Sequence, residues 1–308
     1  MYGEELPDGT VMLDAFASAL GLEPVYAGRG YLKLSSVGVD RPGLRLAGYF
    51  AHSDPRRIIV IGLTEQEYLR SLKQEERAAR IAGLFENEQM PCIVFARSLP
   101  VPPEFLAGAE RARCPVLRTP QATTSFMSDL FLYLNRLLAP TAVVHGVLMD
   151  VSGVGILLTG KSGVGKSETA MELIKRGHRL VADDSVIIRR MENKLVGTSP
   201  DRIRYFMELR GIGIINVRNM YGSGAVLGEK EIELVMQLDP WQAGKAYDRL
   251  GDESAAEVIM GQAVPKLVVP VSPGRNLAIL IEVAARNHRL KGMGYDAAQE
   301  LIRRTIGR

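Results

Sequence analysis

Residues Gly160-Lys161-Ser162-Gly163-Val164-Gly165-Lys166-Ser167 spell G-x-x-x-x-G-K-S, the loop that wraps a nucleotide's phosphates, and their reading decides the fold around them. The apolar run Val154-Gly155-Ile156-Leu157-Leu158 before the loop suits a buried strand. The stretch 168–176 after it reads as a helix. Ala170, Leu173 and Ile174 share one face, Glu172 and Arg176 stand at i,i+4, and Gly177 can end the element. The chemistry needs this combination. Glycines let backbone N–H groups approach phosphate oxygens, and a helix N-terminus adds partial positive charge. Lys166 then reaches the outer phosphates, while the Ser167 hydroxyl helps to hold Mg²⁺.

A chain of 308 residues is long for one core and predicts two domains. Hydrophobic content of 46% and charged content of 24% are ordinary for a globular protein. The net charge of +3 comes without a basic run interleaved with aromatics, which argues against nucleic acid as a partner. The two cysteines, Cys92 and Cys114, lack metal-ligand spacing and read as buried thiols in a reducing compartment. Glu4, Glu5 and Asp8 stand where a signal peptide would be basic, and no apolar segment is long enough to span a bilayer. The expectation is a cytoplasmic protein with no membrane partner.

The pattern predicts a small α/β domain over 1–132, with a binding or regulatory role. A short amphipathic helix is expected over 11–20, a strand ending at Gly48-Tyr49-Phe50, and a compact strand over 57–63. One long helix is expected over 64–85, then strands over 91–96 and 115–118. Strands alternating with helices imply a mainly parallel sheet. No constellation for catalysis stands out here, and His52 beside Asp54 reads as a loop histidine. A helix is expected over 125–138, stopped by Ala139-Pro140. The domain boundary is expected in or just before it, so the second domain is taken as 133–308.

That second domain opens with two apolar runs around Val151-Ser152-Gly153, an antiparallel hairpin signal. On this reading His145 lies on the strand beside the one that feeds the phosphate loop. After the loop's helix, Arg179-Leu180-Val181-Ala182 reads as a strand with Asp183 and Asp184 at its carboxyl end, where α/β sheets bind ligands. Further strands are expected over 186–190 and 213–217. Adjacent residues on a strand point to opposite faces, so the two acids cannot do the same job. One can approach Mg²⁺, directly or through water; the other can face the acceptor and take a hydroxyl proton.

Glu208-Leu209-Arg210-Gly211-Ile212-Gly213 leads into an apolar strand ending in Asn and Arg. Glu208 is a candidate second Mg²⁺ ligand, and Arg210 a candidate for stabilising a transferring phosphoryl group. Tyr247-Asp248-Arg249 and the rigid loop Pro270-Val271-Ser272-Pro273-Gly274-Arg275-Asn276 present two more arginines, with Asn276 placed to cap the next helix.

Val144-His145-Gly146-Val147, Gly163 to Ala170, Arg176 to Asp184 and Glu208 to Asn219 together resemble the bacterial HPr kinase/phosphorylase family, and the resemblance covers nearly all 308 residues. Members use ATP, or pyrophosphate, to phosphorylate a regulatory serine on HPr, the phosphocarrier of the sugar phosphotransferase system. They also remove that phosphate with inorganic phosphate as the attacking group. The resemblance implies that Asp184 is the base in one direction and the acid in the other. It implies that Lys166 contacts the phosphates, that Ser167 and Glu208 bind Mg²⁺, and that His145 and Arg249 assist catalysis. The loop ending at Arg275 would matter most for dephosphorylation. It further implies a homohexamer and a second domain related in fold to phosphoenolpyruvate carboxykinase. Where the family usually carries a basic residue, this chain has Ser272, which should weaken phosphate binding.

A different class of function also fits a phosphate loop: an ATP-sensing regulator that binds nucleotide only to switch conformation. A sensor needs neither an acceptor-facing base nor an electrophilic arginine, so Asp184, Glu208 and Arg249 favour the enzyme.

Overall fold

The computed structural model describes residues 9–51, 53–86, 89–242, 255–272 and 274–306. The chain parts into two compact units, Met1–Leu138 and Ala139–Arg308. His52, Arg249 and Pro273, like Glu4, Glu5 and Asp8, lie outside the described residues.

The first unit runs β1 (Thr10–Met12), α1 (Leu13–Leu20), β2 (Glu23–Tyr26), β3 (Tyr31–Lys33), β4 (Val39–Asp40), α2 (Gly43–Leu46) and β5 (Ile58–Ile61). It continues with α3 (Leu63–Ser71), α4 (Gln74–Leu84), β6 (Ile93–Phe95), α5 (Pro103–Ala112), β7 (Val116–Arg118) and α6 (Thr123–Leu137). Its main sheet has the order β2-β7-β6-β5-β4 and is parallel throughout except at β2. All four residues of β5, Ile-Ile-Val-Ile, are buried, the signature of a strand covered on both faces. Their period of two divides the core. Ile58 and Val60 pack with Phe16 of α1 and Phe126, Leu130 and Leu134 of α6. Ile59 and Ile61 pack with Leu69, Leu84 and Phe105 of the other helices.

Two expectations change here. Gly48-Tyr49-Phe50 is not a strand end but the turn after the single helical turn α2, with Gly48 at φ +92. The helix expected over 64–85 is two helices, because Leu72 and Lys73 take extended backbone between them. By compactness the chain divides after α6, at Leu138, and Phe126, Leu130 and Leu134 of that helix belong to the first unit's core.

The second unit begins with β8 (Thr141–His145), β9 (Val147–Val151) and β10 (Val154–Gly160), followed by α7 (Lys166–Lys175). Then come β11 (Arg179–Ala182), β12 (Ser185–Met191), β13 (Lys194–Thr198), β14 (Phe206–Leu209), β15 (Gly213–Asn216) and α8 (Val217–Tyr221). The chain ends with β16 (Glu229–Glu231), β17 (Leu234–Pro240), β18 (Ala256–Ile259), β19 (Gln262–Val271), α9 (Leu277–Gly292) and α10 (Ala297–Ile306). A six-stranded sheet of order β11-β9-β10-β17-β19-β18 forms the centre, and a four-stranded sheet of order β16-β13-β12-β8 accompanies it.

The β9–β10 hairpin turns at Ser152 and Gly153, φ +53 and +89, the doubly left-handed turn that suits twisted strands. Since β9 runs against both β10 and β11, the latter two point the same way, as do β17 and β19. Four strands therefore deliver their carboxyl ends to one edge. The phosphate loop, Asp183-Asp184 and the loop from Pro270 all emerge there.

Candidate active site

The loop after β10 is built from the residues that the motif requires. Gly160, Gly163 and Gly165 have φ of +135, +80 and +99, a region that side chains strain to enter. Gly165 is the N-cap of α7, so the first N–H groups of that helix open onto the loop. The loop curls around the Lys166 ammonium, which donates to the carbonyls of Gly160 (3.0 Å) and Lys161 (3.3 Å) and is itself buried. Arg210 closes the other side. Its guanidinium donates to Ser162 Oγ at 3.3 Å, and a Cβ on Gly163 would come within 2.6 Å of it. Helix α7 is anchored underneath by Ala170, Leu173 and Ile174 in the core, and Glu172 pairs with Arg176 at 3.0 Å.

The two aspartates after β11 occupy different environments. Asp183 is 4% exposed. Its Oδ1 accepts from the Ser167 hydroxyl at 2.9 Å and its Oδ2 from the Glu208 backbone N–H at 3.2 Å. Burial pushes the Asp183 carboxyl above its usual range, and the Ser167 and Glu208 hydrogen bonds hold it down only in part. Asp184 sits at φ +66 with its side chain 73% exposed. Its Oδ1 is 3.1 Å from His145 Nδ1.

His145 reaches Asp184 by a different route from the one expected. It does not lie on the strand beside β10. The apolar run breaks at Gly146, and His145 is the last residue of β8 in the four-stranded sheet, in register with Ser185. A Cβ at position 146 would lie 2.7 Å from the Leu158 carbonyl, so only glycine lets the chain pass from one sheet to the other here. Because β8 and β12 pair antiparallel, the histidine that ends one strand meets the aspartate that precedes the other.

Glu208 lies on β14, its side chain exposed and its backbone tied to Asp183. The stretch expected to run straight into a strand is a hairpin, β14 with β15, turned by Gly211 at φ +83; α8 follows, capped by Asn216. Arg275 lies beyond β19, exposed, its guanidinium 3.3 Å from the Pro270 carbonyl. The structure thus brings the phosphate loop, Asp183, Asp184, His145, Glu208 and Arg210 together. Hydrogen bonds among the described residues do not tie Arg275 to that group. Asp183 was not singled out over its neighbour by sequence, although the period-two argument already required that the pair differ.

A family profile described as HPr Serine kinase N terminus matches residues 11–134, and one described as HPr Serine kinase C-terminal domain matches residues 136–305. The protein named HPr kinase/phosphorylase from Bacillus licheniformis is 51% identical over 263 residues, covering 85% of this chain and 84% of its own length. That of Thermoanaerobacter sp. (strain X514) is 44% identical over 305 residues, covering 98% of each chain. A solved structure, the HPr(Ser) kinase/phosphatase from Coxiella burnetii, is 37% identical, covers 52% of this chain and 98% of its own, and superposes with a TM-score of 0.48.

Proposed function

The chain belongs to the HPr serine kinase family, and from that premise we propose that its second unit, with the phosphate loop at its centre, moves a phosphoryl group between a nucleotide and a serine of HPr. It acts on HPr as kinase and as phosphorylase. Forward, the serine oxygen attacks the γ-phosphorus of ATP, the bond to ADP breaks, and the serine proton passes to Asp184. In reverse, an oxygen of inorganic phosphate attacks the phosphorus of the phosphoserine, the bond from that phosphorus to the serine oxygen breaks, pyrophosphate forms, and Asp184 returns the proton to the serine.

One observation carries this reading: two adjacent aspartates stand in opposite environments, Asp183 buried on the loop serine and Asp184 exposed beside His145. A nucleotide sensor needs the first alone. A phosphotransferase also needs the second, an open carboxylate facing the acceptor. Lys166 and the N–H groups of α7 hold the donor phosphates, and Arg210, lodged against the loop, meets charge developing on the transferring group. His145 orients Asp184. Arg249 remains an expectation of the family resemblance, outside the described residues. The same resemblance supports a homohexamer and, for the strand–loop–helix around residue 160, a fold relation to phosphoenolpyruvate carboxykinase. Turnover of ATP with and without purified HPr separates the two functions: the enzyme consumes ATP in step with HPr phosphorylated, and a sensor does not.

The residues fit Mg²⁺. Asp183 is a carboxylate pushed up in pKa by burial, its Oδ1 on the Ser167 hydroxyl, and Glu208, whose backbone N–H meets its Oδ2, carries a second, exposed carboxylate. Mg²⁺ bound there supplies charge neutralisation for the phosphates. Ser167 and Glu208 would hold it, with Asp183 behind the serine. Glu208→Gln keeps the size and loses the charge, so Mg²⁺ affinity should fall about tenfold or more while folding without metal is unchanged. An unaltered metal titration would make Glu208 structural.

The loop after β19 separates the two directions. Incoming phosphate and phosphoserine are both negative, so phosphorolysis leans on cations more than the forward step does. Arg275→Ala should lower phosphorolysis about tenfold more than kinase activity, and Ser272→Arg should raise it while kinase activity holds. Equal losses in both directions for Arg275→Ala, with no gain from Ser272→Arg, would remove this loop from the selection.

A further inference from the structure

A cavity of about 640 Å³ reaches Gly160 and Lys161, the first two residues of the phosphate loop. It lies on the face of the central sheet away from α7. Ile156 and Leu158 of β10 pack in the core with that helix, Leu157 packs in the opposite cluster, and Thr159 follows Leu157 by the period of two. Thr159 stands in register beside Gln237 of β17. Both are half-buried, and among the described residues neither the hydroxyl nor the amide has a hydrogen-bond partner. Two adjacent polar side chains with open hydrogen-bonding capacity, on a sheet face otherwise apolar at Leu157 and Val235, need a reason.

The far wall is the β18–β19 hairpin, which turns at Met260 and Gly261, φ +48 and +79. It presents Val258, a valine 67% exposed on the sheet's edge strand, together with Ile259 and Met260. Glu257 and Lys266, ion-paired at 2.8 Å, also line the cavity. Size and lining match a small-molecule pocket: a few hundred cubic ångströms, apolar walls, and few polar groups that converge.

Resting on the phosphate-loop reading, we propose that this cavity receives the nucleoside of the donor. The base lies against Val258 and Met260, with its polar edge toward Gln237 and Thr159, and the sugar faces the Glu257–Lys266 pair. The loop grips phosphates and the hairpin pocket grips what is attached to them. A donor without a base, such as pyrophosphate, uses the loop alone.

Binding of ATP and of pyrophosphate, each with Mg²⁺, is measured by calorimetry on the full chain and two variants. Val258→Trp fills the cavity from an exposed edge position, and Gln237→Leu removes the amide at similar size. Each variant should lose about tenfold or more in ATP affinity and keep pyrophosphate affinity within about twofold, the expected size for a lost contact with a ligand. Unchanged ATP affinity in both variants would place the nucleoside elsewhere and leave the loop reading standing. Equal loss of both ligands would show a collapsed site and count against a separate nucleoside pocket. A wild-type chain that binds neither ligand would overturn the loop reading and this one with it.

Discussion

Lys166→Ala should abolish phosphate transfer to HPr and leave the fold intact. Among the described residues the ammonium hydrogen-bonds the carbonyls of Gly160 and Lys161 alone, so its removal strands no buried charge and opens no hole in the apolar core. What is lost is the positive charge at the centre of the loop, where the donor's outer phosphates must sit. Deleting one such electrostatic contact costs about 10²–10³ in rate, and more when the same group also positions the substrate. Transfer rates beside thermal melts check both halves. Activity within a few-fold of wild type would take the loop out of the mechanism, and a large drop in melting temperature would make Lys166 a folding residue.

Asp184→Asn should give the second large effect, in both directions. The proton removed from serine going forward must be returned going back, so one carboxylate serves both, and its loss costs about 10²–10⁴ in each. The substitution is clean. Asp184 has φ +66, a conformation that asparagine tolerates as well as aspartate, and its side chain is largely exposed. Stability should therefore hold while both rates fall. A variant that lost phosphorylation alone would mean that another group supplies the proton in reverse.

The sequence made the phosphate loop legible because its geometry is imposed residue by residue: glycines where φ is positive, a lysine at the helix start, a hydroxyl after it. The Ser152-Gly153 hairpin and the fully apolar β5 were legible for the same local reasons. Position across sheets was not. An apolar run from 141 to 151 looks like one strand, and only Gly146 marks where the chain leaves one sheet for another, a steric fact visible once Leu158 is in place. The break between α3 and α4 carries no glycine or proline, so periodicity ran through it. The aspartate pair shows a middle case. Alternation required two environments, but which acid faced the serine depended on how β11 is followed by the left-handed turn at Asp184. Arg210 was legible as a charge near glycines, and its seat against Gly163 was not, because the β14–β15 hairpin brings it there from almost fifty residues away.

Phosphoryl transfer to a serine of HPr, from a donor held on the loop at residues 160–167, can be followed directly. The direct measurement incubates the full chain with purified HPr and ATP labelled in the γ-phosphate, with Mg²⁺, and locates the label on HPr by mass spectrometry. Label should appear on a single serine and be absent with Lys166→Ala. Label released only as inorganic phosphate, or found on a residue other than serine, would contradict it.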